Sequence, residues 1–171
     1  DANLLRAAAL YEAVREFGIT YVIDPSTPFE DVSQTTGAVD LVQYPRETLQ
    51  YRSGDCDDLT VLHAALLEAV GIPTAYVTIP GHVYLAVALA SPPSEALRSF
   101  ADRELLVVAD GRAWLPVELT ARGESFTRAW QIGAGHAVRF LGQRGGRDLV
   151  DIFCAGDIVW VPGRNEPFGI V

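Results

Sequence analysis

The run Arg52-Ser53-Gly54-Asp55-Cys56-Asp57-Asp58 sets a thiol directly before a stretch of helical periodicity. Leu59, Leu62, Ala65, Leu66 and Ala69 recur at that spacing until Gly71-Ile72-Pro73 stops it. A thiol in the first helical turn lies beside unpaired backbone N–H groups and the positive end of the helix dipole. Both stabilise an anion, so the pattern predicts a lowered thiol pKa and a nucleophilic thiolate at Cys56. A thiolate nucleophile needs a base to take its proton and a third group to orient that base. His63 lies within the same helix, two turns on, and reads as structural or partly exposed. His136 sits among glycines. His82 follows Pro80-Gly81 and precedes an apolar strand, which puts its ring at a strand end, so it is preferred over His136 as the base. Glu118, in Trp114-Leu115-Pro116-Val117-Glu118-Leu119-Thr120, is a carboxylate among apolar neighbours and is costly to bury without a partner.

Positioning these groups falls to a readable set of elements. Leu4–Phe17 reads as an amphipathic helix stopped by Gly18, and Ile19–Ile23 as a short β run. Residues 24–38, rich in Ser, Thr and Asp, form a loop long enough for a functional role. Pro45 starts a short helix before the Cys56 helix. Thr74–Ile79 and Val83–Leu89 read as strands, followed by a partly helical insertion over 91–103. Glu104–Ala109 and Arg112–Leu119 make a hairpin around Asp110-Gly111. Glu124–Phe140 is helical in pattern, weakened by Gly133 and Gly135. Val150–Phe153 and Ile158–Val161 read as late strands. Helices first and mostly antiparallel strands after make the fold class α+β.

The 171 residues fit one domain, 1–171, able to bury a core without disulfides or metal. Apolar residues make up 49% and charged ones 20%, which excludes disorder. A net charge of −9 with no basic stripe excludes nucleic acid as partner. No stretch approaches the ~18 apolar residues of a membrane span. A start at Asp1 and the lack of Met point to a domain excised from a larger protein. The two cysteines, Cys56 and Cys154, could form a single staple but no disulfide framework, and Cys154 reads as a core residue.

Gly54-Asp55-Cys56-Asp57-Asp58, the helix ending Glu68-Ala69-Val70-Gly71-Ile72-Pro73, the Gly81-His82-Val83-Tyr84 strand and the Trp114–Thr120 strand resemble, in that order, the transglutaminase-like superfamily of papain-type cysteine enzymes. The resemblance covers about Tyr44 to Thr120 and is closest to bacterial transglutaminase-like domains of larger cell-envelope proteins. It implies a papain-like core with the nucleophile helix packed on an antiparallel sheet. It assigns Cys56 as nucleophile, His82 as general base and acid, and Glu118 as the residue that fixes the imidazole. It also implies an extracytoplasmic address, tethering to other domains, and a protein or peptide substrate. Two positions depart from the pattern: Glu118 stands where the family most often has Asp, and Tyr84 where an aromatic Trp often lies.

The oxyanion would be held by the Cys56 N–H and a side chain from upstream, with Gln43, Tyr44 and Gln50 as candidates; Gln43-Tyr44 resembles the position family members use. Trp114 reads as a core anchor or a wall of the substrate cleft, and Trp130 and Trp160 as core. Asp55, Asp57 and Asp58 would raise a neighbouring thiol pKa by repulsion, yet also suit a helix start as caps. The sharper expectation is calcium held by Asp55 and Asp57, as in calcium-dependent relatives, although the spacing is not an EF-hand. No other cofactor is required. Zinc is set aside because the chain has no CxxC and no HxxxH. The resulting expectation is thiol-dependent hydrolysis or acyl transfer at peptide or carboxamide bonds through a thioester. Its alternative is an inactive module that binds peptide or a partner protein in the same cleft.

Overall fold

A computed structural model describes residues 1–23, 42–79 and 81–141. The loop expected at 24–38, the late strands at 150–153 and 158–161, Cys154 and Trp160 lie outside the described residues. Helix α1 (Ala2–Phe17) is capped by the Asp1 carboxylate at one end and by Gly18, at φ 85°, at the other. Its apolar positions Ala7, Tyr11 and Val14 are buried. Strand β1 (Thr20–Tyr21) follows, then α2 (Pro45–Tyr51) and β2 (Ser53–Gly54). The two short strands pair in parallel, Thr20 with Ser53 and Tyr21 with Gly54, so the chain just after α1 is fastened to the segment that leads into Cys56. Helix α3 (Cys56–Ala69) ends where Gly71, at φ 77°, and Pro73 were expected to stop it.

Beyond α3 the chain is mainly antiparallel. Strands β3 (Thr74–Ile79), β4 (His82–Ala88), β5 (Val107–Ala109) and β6 (Arg112–Val117) form one sheet in the order β3-β4-β6-β5. Helix α4 (Pro93–Ser99) and a 3-10 turn (Arg103–Leu105) occupy the insertion between β4 and β5. Asp110 and Gly111 both have positive φ, 50° and 69°, as a two-residue Asp-Gly hairpin turn requires. Helix α5 (Phe126–Leu141) closes the described chain.

Strand alternation divides the sheet into two faces. Leu85 and Val87 of β4 and Ala113, Leu115 and Val117 of β6 join Leu59, Leu62 and Leu67 of α3, Tyr11 of α1 and Phe126, Ala129 and Trp130 of α5 in the main core. On the other face Val77, Tyr84 and Ala86 pack with Ala75, Ile79 and Trp114. The Cys56 helix therefore lies on an antiparallel sheet, the α+β arrangement expected. Gly133 does not break α5. A Cβ there would stand 2.5 Å from the Pro116 carbonyl oxygen, so glycine permits the helix to lie directly on β6.

Candidate active site

Each residue of the Gly54–Asp58 run has a local task. A Cβ at position 54 would lie 2.7 Å from the Asp58 Cβ, so Gly54 makes room for that side chain. Asp55 is the N-cap of α3: its carboxylate accepts the Asp58 N–H, and the Asp58 carboxylate accepts the Asp55 N–H at 3.3 Å, a reciprocal capping box. Asp57 accepts the Asp58 N–H at 2.9 Å. Asp58 also receives the Gln43 backbone N–H at 2.7 Å and the Gln43 side-chain amide at 2.6 Å. Burial raises the Asp58 pKa, and these donated bonds oppose the rise.

Cys56 is thereby fixed as the first residue of α3, as expected, but it is only 4% exposed. Its thiol pKa is pushed up to about 12, chiefly by burial. Hydrogen bonds from the Val83 and Asp57 N–H groups oppose the shift, and the charges of Asp55 and Asp57 add to it. The expected lowering of the thiol pKa is overturned. The helix terminus acts in a desolvated place between two carboxylates, and desolvation is the larger effect.

His82 begins β4 and Glu118 follows β6. In the β4–β6 register Leu85 faces Val117, which places His82, Tyr84, Pro116 and Glu118 on the same face of neighbouring strands. His82 Nε2 lies 2.7 Å from Glu118 Oε2. The other carboxylate oxygen accepts the Thr120 hydroxyl at 2.6 Å and the Thr120 N–H at 3.0 Å. Glu118 is 3% exposed. Burial pushes its carboxyl pKa up, but the hydrogen bond and charge of His82 and the two bonds from Thr120 outweigh it and hold the group below the usual carboxylate range.

His136, passed over in the sequence, comes to the same carboxylate. Its Nδ1 lies 3.2 Å from Glu118 Oε2, off the hydrogen-bonding direction, and is buried without a hydrogen-bond partner among the described residues. The two imidazole centroids are 6.0 Å apart at 89°, and the Tyr84 ring lies 6.0 Å from His82 and 5.8 Å from His136. Tyr84 is fully buried, its hydroxyl likewise has no partner among the described residues, and burial together with the Glu118 charge raises its pKa.

The other expected residues are dispersed. Gln43 spends its N–H groups on Asp58, and its side-chain carbonyl oxygen is buried without a partner among the described residues. Tyr44 is the N-cap of α2; its N–H donates to Glu47 at 2.9 Å and its ring lies under Arg46. Gln50 is exposed on α2. Trp114 packs against the cluster of Val77, Tyr84 and Ala86 and donates its indole N–H to the Ala109 carbonyl at 3.1 Å. The Asp55 and Asp57 carboxylate oxygens, the two side chains of the calcium expectation, lie within 4.8 Å of one another and of the Cys56 sulfur. His63 is buried in the core, with Nδ1 2.8 Å from the Leu59 carbonyl oxygen, in keeping with a structural role. Tyr21, read only as part of a β run, stands close enough that Cys56, Asp55, Glu118 and Asp57 reinforce the effect of burial in raising its pKa to about 12.

The model of the transglutaminase-like superfamily matches residues 2–119, which include Cys56, His82 and Glu118. Among curated proteins, the D-inositol 3-phosphate glycosyltransferase of Saccharomonospora viridis is 46% identical over 43 residues, 25% of this chain and 10% of that protein. The enzyme of the same name from Corynebacterium diphtheriae is 35% identical over 78 residues, 46% of this chain and 18% of that protein. The chain thus spans between about a tenth and a fifth of the curated relatives it matches. No solved structure matches it.

Proposed function

Since the chain belongs to the transglutaminase-like superfamily, we propose that it is a thiol-dependent acyl-transfer domain acting on a peptide or carboxamide carbonyl. Cys56 is the nucleophile, His82 the general base and acid, and Glu118 the group that orients the imidazole. The observation that carries this reading is the 2.7 Å contact between His82 Nε2 and a buried Glu118 whose second oxygen is held by Thr120. With Nε2–H donating to the carboxylate, Nδ1 keeps its lone pair and is the nitrogen able to accept a proton.

At rest Cys56 is a neutral thiol. As the sulfur attacks the carbonyl carbon, its proton passes to His82 Nδ1 and the carbonyl oxygen takes the negative charge. The Cys56 N–H, which as the first residue of α3 lies outside the intrahelical ladder, is a donor for that oxyanion. Collapse breaks the carbon–nitrogen bond, the leaving amine takes the proton from Nδ1, and a thioester remains. Water then releases an acid, or an amine releases a new amide. Of the two outcomes hydrolysis is the one proposed here, with a protein or peptide as substrate. The glycosyltransferase matches cover at most 18% of those enzymes and support no sugar transfer here.

Cys56 burial and its raised pKa favour a second reading, a module that keeps the fold and binds peptide without turnover. Incubation with a mixed peptide library and a fluorescent primary amine separates the two. The enzymatic reading expects cleavage or amine incorporation that disappears in Cys56→Ala. Peptide binding with neither product supports the module instead.

A further inference from the structure

We propose that His82, His136 and Glu118 form a binding site for a divalent transition metal of the zinc class, with a fourth position open to water. One nitrogen from each imidazole and one Glu118 oxygen all lie within 4.8 Å of one another. Two imidazoles and one carboxylate are a donor set that borderline divalent metals take, with a remaining position left to solvent. Tetrahedral ligation with bonds of about 2.0–2.2 Å places neighbouring donor atoms roughly 3.3–3.6 Å apart. Glu118 Oε2 lies 3.2 Å from His136 Nδ1, close to that spacing, and 2.7 Å from His82 Nε2, a separation that must widen when a metal replaces the bridging proton.

Three further observations point to a ligand. His136 Nδ1 is buried, faces the carboxylate and has no hydrogen-bond partner among the described residues. The Tyr84 hydroxyl, on a fully buried side chain packed against both imidazoles, is equally without one, and a metal-bound water is a natural partner for it. Thr120 already holds the far Glu118 oxygen with two hydrogen bonds, as an outer shell holds a ligating carboxylate. Access is open, because the His82 and His136 side chains keep 21% and 33% of their surface exposed. The ligands come from β4, from the end of β6 and from α5, so no short spacing in the sequence announces them.

Metal binding does not depend on the acyl-transfer reading. Its consequence does: a metal that takes Nε2 and Oε2 breaks the His82–Glu118 contact and silences the triad. Isothermal titration of the full chain with Zn²⁺ alone should give equimolar, saturable binding that millimolar Ca²⁺ does not displace. His136→Phe keeps the ring packing and should abolish it, while Thr120→Val should weaken it by about 10–100-fold. With Co²⁺ the site should give the ligand-field spectrum of tetrahedral nitrogen and oxygen donors without a thiolate charge-transfer band. Binding that survives His136→Phe, a thiolate band, or no saturable binding to folded protein overturns the proposal. None of these results touches Cys56-dependent acylation measured in a chelator, so the two proposals fail separately.

Discussion

Acidification should destabilise this protein through His63. The ring is 3% exposed; its Nδ1–H donates to Leu59, and Nε2 is buried with no partner among the described residues. His63 lines a small cavity together with Ala7, Tyr11, Leu67, Leu85, Val117 and Phe126. Burial lowers the His63 pKa from 6.5 to about 4; the Leu59 bond opposes the shift and the Arg122 charge adds to it. The unfolded chain therefore takes up a proton below pH 6.5 that the folded chain refuses until about pH 4. The stability that neutral His63 contributes is complete above pH 6.5 and is lost as pH falls through that window. A shift of this size amounts to roughly 3 kcal/mol in full, most of it gone by pH 4.5. Urea titrations at half-unit steps from pH 7.5 to 4.5 measure it directly. His63→Leu, which has nothing to protonate, should remove most of the slope between pH 6.5 and 4.5. An unchanged slope in that variant, or a flat wild-type profile, would refute the reasoning.

Three other expectations follow from the same contacts. Gly133→Ala drives a Cβ into the Pro116 carbonyl and should destabilise the fold by about 1–3 kcal/mol in urea, because backbone rather than a mobile side chain must give way. Asp55→Ala removes the cap of α3 and should cost about 1 kcal/mol in the same assay, while Asp55→Asn should restore most of it. Iodoacetamide should label native Cys56 more slowly than free cysteine at pH 8, since a pKa of about 12 in place of 9.0 leaves on the order of 1,000-fold less thiolate, and the rate should keep climbing beyond pH 10. Labelling faster than the free amino acid would restore the ionised thiol read from the sequence.

That thiol illustrates what the chain discloses and what it withholds. The periodicity of Leu59, Leu62 and Ala65 and the Gly71-Ile72-Pro73 stop placed α3 and set Cys56 in its first turn, because both are local patterns. The hairpin at Asp110-Gly111 was legible for the same reason: the turn needs two positive φ values. Burial of Cys56 was not legible, since it depends on β4 crossing the end of α3 so that Val83 reaches the sulfur. His136 was passed over because Gly133 and Gly135 weaken a helical pattern. Gly133 in fact lets α5 lie close on β6, and that contact carries His136 to Glu118. The role of Gln43 depends on a bond across 15 positions to Asp58, and the parallel pairing of β1 with β2 on one across about 33, neither of which has a local signature.

The central claim is that Cys56, His82 and Glu118 act on one carbonyl together. Its most direct test is single-turnover acylation by a small activated ester, quenched in acid and located by mass spectrometry in the presence of a chelator. A thioester on Cys56 should form in the native protein, and His82→Ala should slow it by about 10²–10⁴-fold without loss of fold. Acylation of Cys56 at an equal rate in His82→Ala, or no adduct on Cys56 in the folded protein, would contradict it.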